Sequence, residues 1–226
     1  MTMPFYVPPE QLMNDRADFA KKGIARGRPI MFLEYVDGVL LIGENPGSSL
    51  HKLSEIYDRM AFAGVGRFNE FEALRVAGVR YADLKGYSYG RSDVTAKGLG
   101  NAYSQTVGQI FTHEIKPYEV EVLVAEVGET SADTAIYRIR YDGNLSTEHA
   151  FGAIGGDHDD LAGLLEDGYT ENATLGGVLR LATSSLEAAE ERSIADVDYE
   201  AAVLDRNLGR RIFRRVKPEE IGAARS

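Results

Sequence analysis

Hydrophobic alternation and turn signals gather the strands of this chain into consecutive runs instead of alternating them with helices. That order leaves few folds open. A helix is predicted from Pro9 to Lys22: Pro8 and Pro9 suit a first turn, Glu10 puts negative charge at the N-terminus, and Lys21-Lys22 close it before Gly23. Leu12, Arg16, Phe19 and Ala20 give it one face with apolar stems. Pro29 to Tyr35 and Gly38 to Glu44 then read as strands joined by Val36-Asp37-Gly38, and His51 to Tyr57 and Arg59 to Val65 follow as two more. Helical spacing takes over at Phe68, Phe71, Leu74, Arg75 and Gly78 and runs to about Leu84. After a Gly/Ser/Tyr loop from Lys85 to Ser92 it resumes over Val94 to Thr112, with Leu99, Tyr103, Val107, Ile110 and Phe111 on one stripe. Strands return at Val120 to Val127, Ala135 to Tyr141 and Ala150 to Ile154. Helices are expected over Asp159 to Asp167 and Leu175 to Glu191, and a last hairpin, Tyr199 to Leu204 and Arg211 to Val216, turns at Asn207-Leu208-Gly209.

Runs of strands disfavour a parallel doubly wound sheet. Two antiparallel sheets face to face, each covered outside by a helix pair, would bury every apolar stripe. The expected fold is therefore a four-layer α/β/β/α sandwich. No linker or low-complexity tract divides the chain, so residues 1–226 read as one domain. A net charge of -10 argues against a nucleic-acid-binding body. The absence of cysteine removes disulfides, thiolate zinc sites, cysteine nucleophiles and iron–sulfur clusters. The longest apolar stretch, around Val39 to Ile42, is far short of a membrane span, and Met1 to Glu10 has no basic residue to open a signal peptide. A cytoplasmic location is expected.

Several motifs invite a chemical reading. Gly86-Tyr87-Ser88-Tyr89-Gly90 matches G-x-S-x-G, but no buried strand leads into it, so an inter-helix loop with permissive glycines is the stronger reading. Asp157-His158-Asp159-Asp160 resembles a hard-metal cluster, yet it stands where a helix begins and where carboxylates complement the dipole; no metal is expected there. Gly98-Leu99-Gly100 has no preceding strand, so no dinucleotide cofactor is expected either. Arg210-Arg211 and Arg214-Arg215 fit a charged edge hairpin that resists pairing. Glu44, ending the second strand, and Lys52, beginning the third, form an acid–lysine pair of the kind that tunes a nucleophile placed ahead of a first strand.

Those positions sit among more specific runs: Lys22-Gly23-Ile24-Ala25-Arg26-Gly27-Arg28, Asp37-Gly38-Val39-Leu40, Gly43-Glu44-Asn45-Pro46, Lys52 to Arg59, Phe68-Asn69-Glu70-Phe71 and Lys116-Pro117-Tyr118-Glu119-Val120-Glu121. Together with the four-layer order they resemble the proteasome α subunits of actinobacteria, over essentially the whole chain. The resemblance implies an N-terminal nucleophile hydrolase-like fold and a homo-heptameric outer ring stacked on β subunits that carry the threonine nucleophile. It also implies a ring-shaped ATPase or other activator and unfolded protein substrates as partners. The sequence bears on catalysis directly: between Met3 and Val94 there is no threonine, the first serine is Ser48, and Arg28 stands near the nucleophile's place. A noncatalytic subunit is expected. The resemblance places Lys52, with backbone at Gly27 and Gly66, in a pocket that receives an activator's C-terminal tail; the plain alternative for Lys52 is a surface salt bridge to Glu55. It also makes residues 1–8 a gating arm, with Phe5, Tyr6 and Val7 as its apolar part. The rival reading is a stand-alone serine hydrolase using Ser88 with Asp142 and His149.

Overall fold

A computed structural model describes residues 8–47, 49–156 and 158–226. The chain opens with helix α1 (Pro9–Ala25), then strands β1 (Ile30–Tyr35), β2 (Gly38–Glu44), β3 (Leu53–Tyr57) and β4 (Met60–Gly66), then helices α2 (Phe68–Ser88) and α3 (Ala96–His113). It continues through β5 (Val120–Glu126), β6 (Ala135–Ile139), β7 (Leu145–Glu148) and β8 (Phe151–Ile154), helices α4 (His158–Gly168) and α5 (Leu175–Ala189), strands β9 (Tyr199–Asp205) and β10 (Phe213–Arg215), and α6 (Pro218–Arg225). The strands form two five-stranded sheets, in the orders β10-β9-β2-β1-β8 and β3-β4-β5-β6-β7. Every neighbouring pair is antiparallel. The four-layer α/β/β/α order expected from the sequence is the one observed.

Three apolar layers account for it. Ile30, Phe32, Val39 and Leu41 of the first sheet meet Leu53, Ala61, Ala63 and Leu123 of the second between the sheets. The opposite pleat of β1 and β2, with Met31, Leu33, Leu40 and Ile42, packs under Leu161, Leu165, Val178 and Leu179 of α4 and α5. On the other side Met60, Phe62, Val122 and Val124 pack under Phe71, Leu74, Leu99 and Tyr103 of α2 and α3. Both faces of the central strands are thus covered, which is why β2 is buried at every position and reads as an unbroken apolar run rather than an alternating one.

Helix ends differ from expectation where glycine does something other than stop a helix. α1 continues past Lys22 through Gly23 to Ala25, and Gly23 serves there to admit Glu119: a Cβ would stand 2.2 Å from its Oε1. α2 runs through Gly86 to Ser88 instead of yielding to a loop at Lys85, and a Cβ at Gly86 would lie 2.2 Å from the Tyr57 hydroxyl. Both glycines admit a close neighbour. The strand β7 was not visible in the sequence, since Leu-Ser-Thr-Glu at a sheet edge carries no buried stripe. β8 starts at Phe151 rather than Ala150, whose φ of 62° breaks the extended run. α6 was also unforeseen; Pro218 opens it, and Glu220 accepts the Lys217 amide at 3.0 Å. β3 and β10 are shorter than predicted, starting at Leu53 and Phe213.

Within the first sheet β2 pairs with β9 so closely at Gly38 that a Cβ there would stand 1.8 Å from the Leu204 carbonyl oxygen. Gly38→Ala should therefore lower stability by about 3 kcal/mol, the upper end of overpacking costs. Thermal unfolding by circular dichroism checks this; an unchanged melting temperature would contradict it.

Candidate functional site

Antiparallel pairing gathers the candidate residues at one end of the sandwich. In the first sheet Ile30 opposes Gly43 and Ile154, and Glu44 opposes Tyr199, so the start of β1, the end of β2, the end of β8 and the start of β9 lie together. In the second, Leu53 opposes Ala63 and Gly66 opposes Val120. The Lys52 ammonium links the two sets, donating to the Arg28 carbonyl and to the Glu44 carbonyl, each at 3.4 Å.

The expected acid–lysine pair does not form. The Glu44 carboxylate, 5% exposed, takes Arg28 Nη1 at 3.0 Å and Arg192 Nη2 at 2.6 Å, while Lys52 holds only its backbone carbonyl. Arg28 thus occupies the place ahead of the first strand and spends its charge on the carboxylate that would otherwise face Lys52. A guanidinium, always protonated, can neither attack a carbonyl nor accept a proton. Burial pulls the Lys52 pKa below its ordinary 10.5; the charge of Glu200 opposes this, Arg28 adds to it and Glu44 opposes it. The alternative partner Glu55 is taken: both its oxygens accept from Arg211.

Gly27 and Gly66 are brought together. A Cβ on Gly27 would come within 3.2 Å of the Gly66 amide nitrogen. Gly66 has φ +101°, and a Cβ there would lie 1.9 Å from the Glu119 carbonyl oxygen, so this crossing of β4 and the segment ahead of β5 needs glycine. Lys52 stands alongside, its carbonyl accepting from the Gly64 amide at 3.1 Å.

The other sequence runs are structural joints. Lys116 donates to Glu70 at 2.5 Å and to Glu119 at 2.9 Å, and Arg67 reaches Glu119 at 2.9 Å, fastening the start of α2 to the segment before β5. Glu121 pairs with Arg138 at 2.6 Å and accepts the Gly155 amide at 3.1 Å. Asp58 accepts from Arg91 at 2.6 Å and Arg210 at 3.3 Å, and Arg59 Nε donates to the Val127 carbonyl at 2.7 Å. Arg210 and Arg211 are thereby paired rather than a free basic patch. Sequence reasoning missed Glu200, on β9, whose buried carboxylate accepts from Asn45, Lys52, Leu53 and Arg215. Its signal was a lone carboxylate heading the otherwise apolar Ala201 to Leu204.

The serine-hydrolase constellation is not assembled. Ser88 is the exposed last residue of α2, Asp142 accepts the Asn144 amide at 2.9 Å in the turn before β7, and the His149 carbonyl accepts from Phe151. No hydrogen bond joins the three among the described residues. Of the acidic quartet, Asp157 lies outside the described residues and His158 begins α4. No group of three potential metal ligands occurs among the described residues. Nor is any helix among them long and apolar enough to cross a membrane. Phe5, Tyr6 and Val7 lie outside the described residues.

A family model described as "Proteasome subunit" matches residues 24–204, from the end of α1 into β9. The chain belongs to the proteasome subunit family. Among curated relatives it is similar to a "Proteasome subunit alpha" of Xylanimonas cellulosilytica, 58% identical in an alignment covering 96% of this chain and 93% of the other. It is likewise similar to proteins of the same name from Thermomonospora curvata (54% identical, covering 98% and 96%) and Kineococcus radiotolerans (56%, covering 96% and 94%). These likenesses go against the serine-hydrolase reading.

Within this proteasome subunit the Arg28–Glu44–Arg192 cluster is open to direct test. Glu44→Gln leaves two guanidinium groups on a neutral amide and should cost about 1–2 kcal/mol. That is below the roughly 3–5 of a fully buried pair, because both arginines reach solvent. Urea unfolding gives the value; a loss near zero would mean the cluster is solvent-screened throughout.

Proposed function

We propose that this chain is a noncatalytic α-type subunit of a cytoplasmic threonine-protease core particle. It forms the outer, homo-heptameric ring, gates substrate entry and docks a ring-shaped ATPase activator. The observation that carries the noncatalytic reading is Arg28 locked onto Glu44 at 3.0 Å, which leaves the place ahead of β1 without a nucleophile and Lys52 without a nucleophile to tune. The threonine belongs to a partner β subunit. Helix α1 supports ring formation: it buries only Ala20 and Ile24 within the chain and leaves Leu12 and Phe19 each 45% exposed, a face for a neighbouring copy.

Lys52 is the docking cation in this reading, with the closely packed backbone of Gly27 and Gly66 as the wall beside it. Its ammonium is held by two carbonyls and, among the described residues, no carboxylate hydrogen-bonds to it, so a chain-terminal carboxylate arriving there gains a charge-assisted bond of about 1.5–3 kcal/mol. Repetition around a ring multiplies the loss when it is removed. Lys52→Ala particles of normal size by native mass spectrometry should lose nearly all activator-stimulated proteolysis, and undiminished activator binding would refute the docking role. The same chemistry fixes a pH dependence. Docking needs the charged ammonium, burial lowers its pKa, and so docking fades as pH rises, before 10.5 is reached.

Residues 1–8 act as the gate in this reading, through Phe5, Tyr6 and Val7. Deleting residues 2–8 should accelerate degradation of an unfolded protein more than cleavage of a tripeptide. Equal, wild-type rates for both would remove the gate from the arm.

A further inference from the structure

The connection from β2 to β3, residues 45–52, carries the chain from one sheet to the other and delivers Lys52 to the site. One carboxylate, on a third strand, holds both ends of it. Glu200 Oε2 accepts from Asn45 Nδ2 at 2.6 Å where the connection begins and from the Lys52 amide at 3.0 Å where it ends. Oε1 accepts from the Leu53 amide at 3.2 Å and Arg215 Nη1 at 2.9 Å, and His51 Nδ1 stands 3.2 Å away. The side chain is 9% exposed and its acceptor capacity is filled, so Glu200 is not itself a ligand for anything that arrives. Arg215 braces the arrangement by also donating to the Leu53 carbonyl at 2.9 Å.

We propose that Glu200 is the positioning residue of the docking site: it clamps both ends of the 45–52 connection and sets its carboxylate against the Lys52 amide, so that the ammonium is placed with a negative charge nearby. This rests on the docking role of Lys52. The charged groups around that ammonium are Arg28 ahead of β1, Glu44 on β2 and Glu200 on β9. Beyond them stand Arg192 on Glu44 and Arg215 and His51 on Glu200. Arg28 and Arg192 engage the Glu44 carboxylate, and the Lys52 ammonium reaches the Arg28 and Glu44 carbonyls, so Glu200 is the other carboxylate of this group.

Competitive acetylation of the full-length, assembled chain with trace acetic anhydride across alkaline pH, read by peptide mass spectrometry, separates the two parts of the claim. The pH midpoint for Lys52 reports its ionisation and the high-pH plateau reports its accessibility. Glu200→Gln should move the midpoint down by about one unit, a tenfold change in the charged-to-neutral ratio. Mere loosening would do the opposite, solvating Lys52 and raising both midpoint and plateau. A midpoint that stays or rises overturns the inference. Should Glu200→Gln not assemble, Arg215→Met removes the countercharge and one brace instead, and the midpoint should rise; an unmoved midpoint again overturns it. In parallel, a short peptide copying the C-terminus of the ring ATPase of the same organism, as free acid and as amide, is titrated against the particles. Glu200→Gln should weaken the free acid about tenfold and leave the amide unaffected. If Lys52→Ala binds the free acid normally, the docking reading fails while the labelling result still stands. If Lys52→Ala loses binding and Glu200→Gln leaves labelling and binding unchanged, only the role of Glu200 fails.

Discussion

Glu200 accepts hydrogen bonds from both ends of the β2–β3 connection, and that single carboxylate sits where the chain first leaves one sheet for the other. The second passage, from β7 to β8, is held the same way. Glu34 of β1 accepts the Ala150 amide at 2.9 Å and donates its own amide to the Ala150 carbonyl at 2.6 Å, fixing a non-glycine residue at φ 62°. A left-handed alanine costs about 1–2 kcal/mol, so the two bonds to Glu34 are what keep the turn in register. Sheets packed through an apolar interface have little preference for sliding; polar bonds at the two passages supply the direction that dispersion and hydrophobic burial lack.

The chemistry of the site follows from how charge is distributed around the same passage. Two carboxylates, three guanidinium groups and one ammonium crowd one end of the sandwich, and each carboxylate is saturated by arginine and backbone donors. Among the described residues the ammonium donates to two carbonyls and to no carboxylate. A site with this balance is poor at proton transfer, since no partner of Lys52 can take its proton, and well suited to receiving an external anion.

Much of this was legible in the sequence, for identifiable reasons. The layer order came from strands in runs and from helices with clear stripes, such as Val178, Leu179, Ala182 and Leu186 on α5. Arg28 could be seen to stand ahead of the first strand, but its partner could not: the spacing of Glu44 and Lys52 suggested that they face each other, and only the fold shows the Glu44 carboxylate taken by Arg28 and Arg192. Glycine misled in both directions. Gly23 and Gly86 looked like helix stops and turned out to be contact points for Glu119 and Tyr57, a distinction that depends on residues far away in sequence. β7 escaped notice because an edge strand with polar side chains leaves no periodic trace, and Glu200 because one charged residue ahead of an apolar strand also suits an ordinary surface start.

Helix α1 is tied down in an unusual place. Besides Ala20, Ile24 and the approach of Gly23 to Glu119, its hold on the body includes Arg16, whose guanidinium donates to the carbonyls of Ile110, Phe111 and Glu114 and so finishes the C-terminal turn of α3 from outside. Those carbonyls carry the negative end of the α3 dipole, which makes the attachment electrostatic as well as geometric. In mechanical terms, tension applied to the N-terminus is shared between the last turn of α3 and the second sheet, whose β4 and β5 also touch α1. Arg16 stands nearer the pulled end than Ala20 and Ile24, so a strained terminus would load the helix end on the outer layer before it reached the sheet.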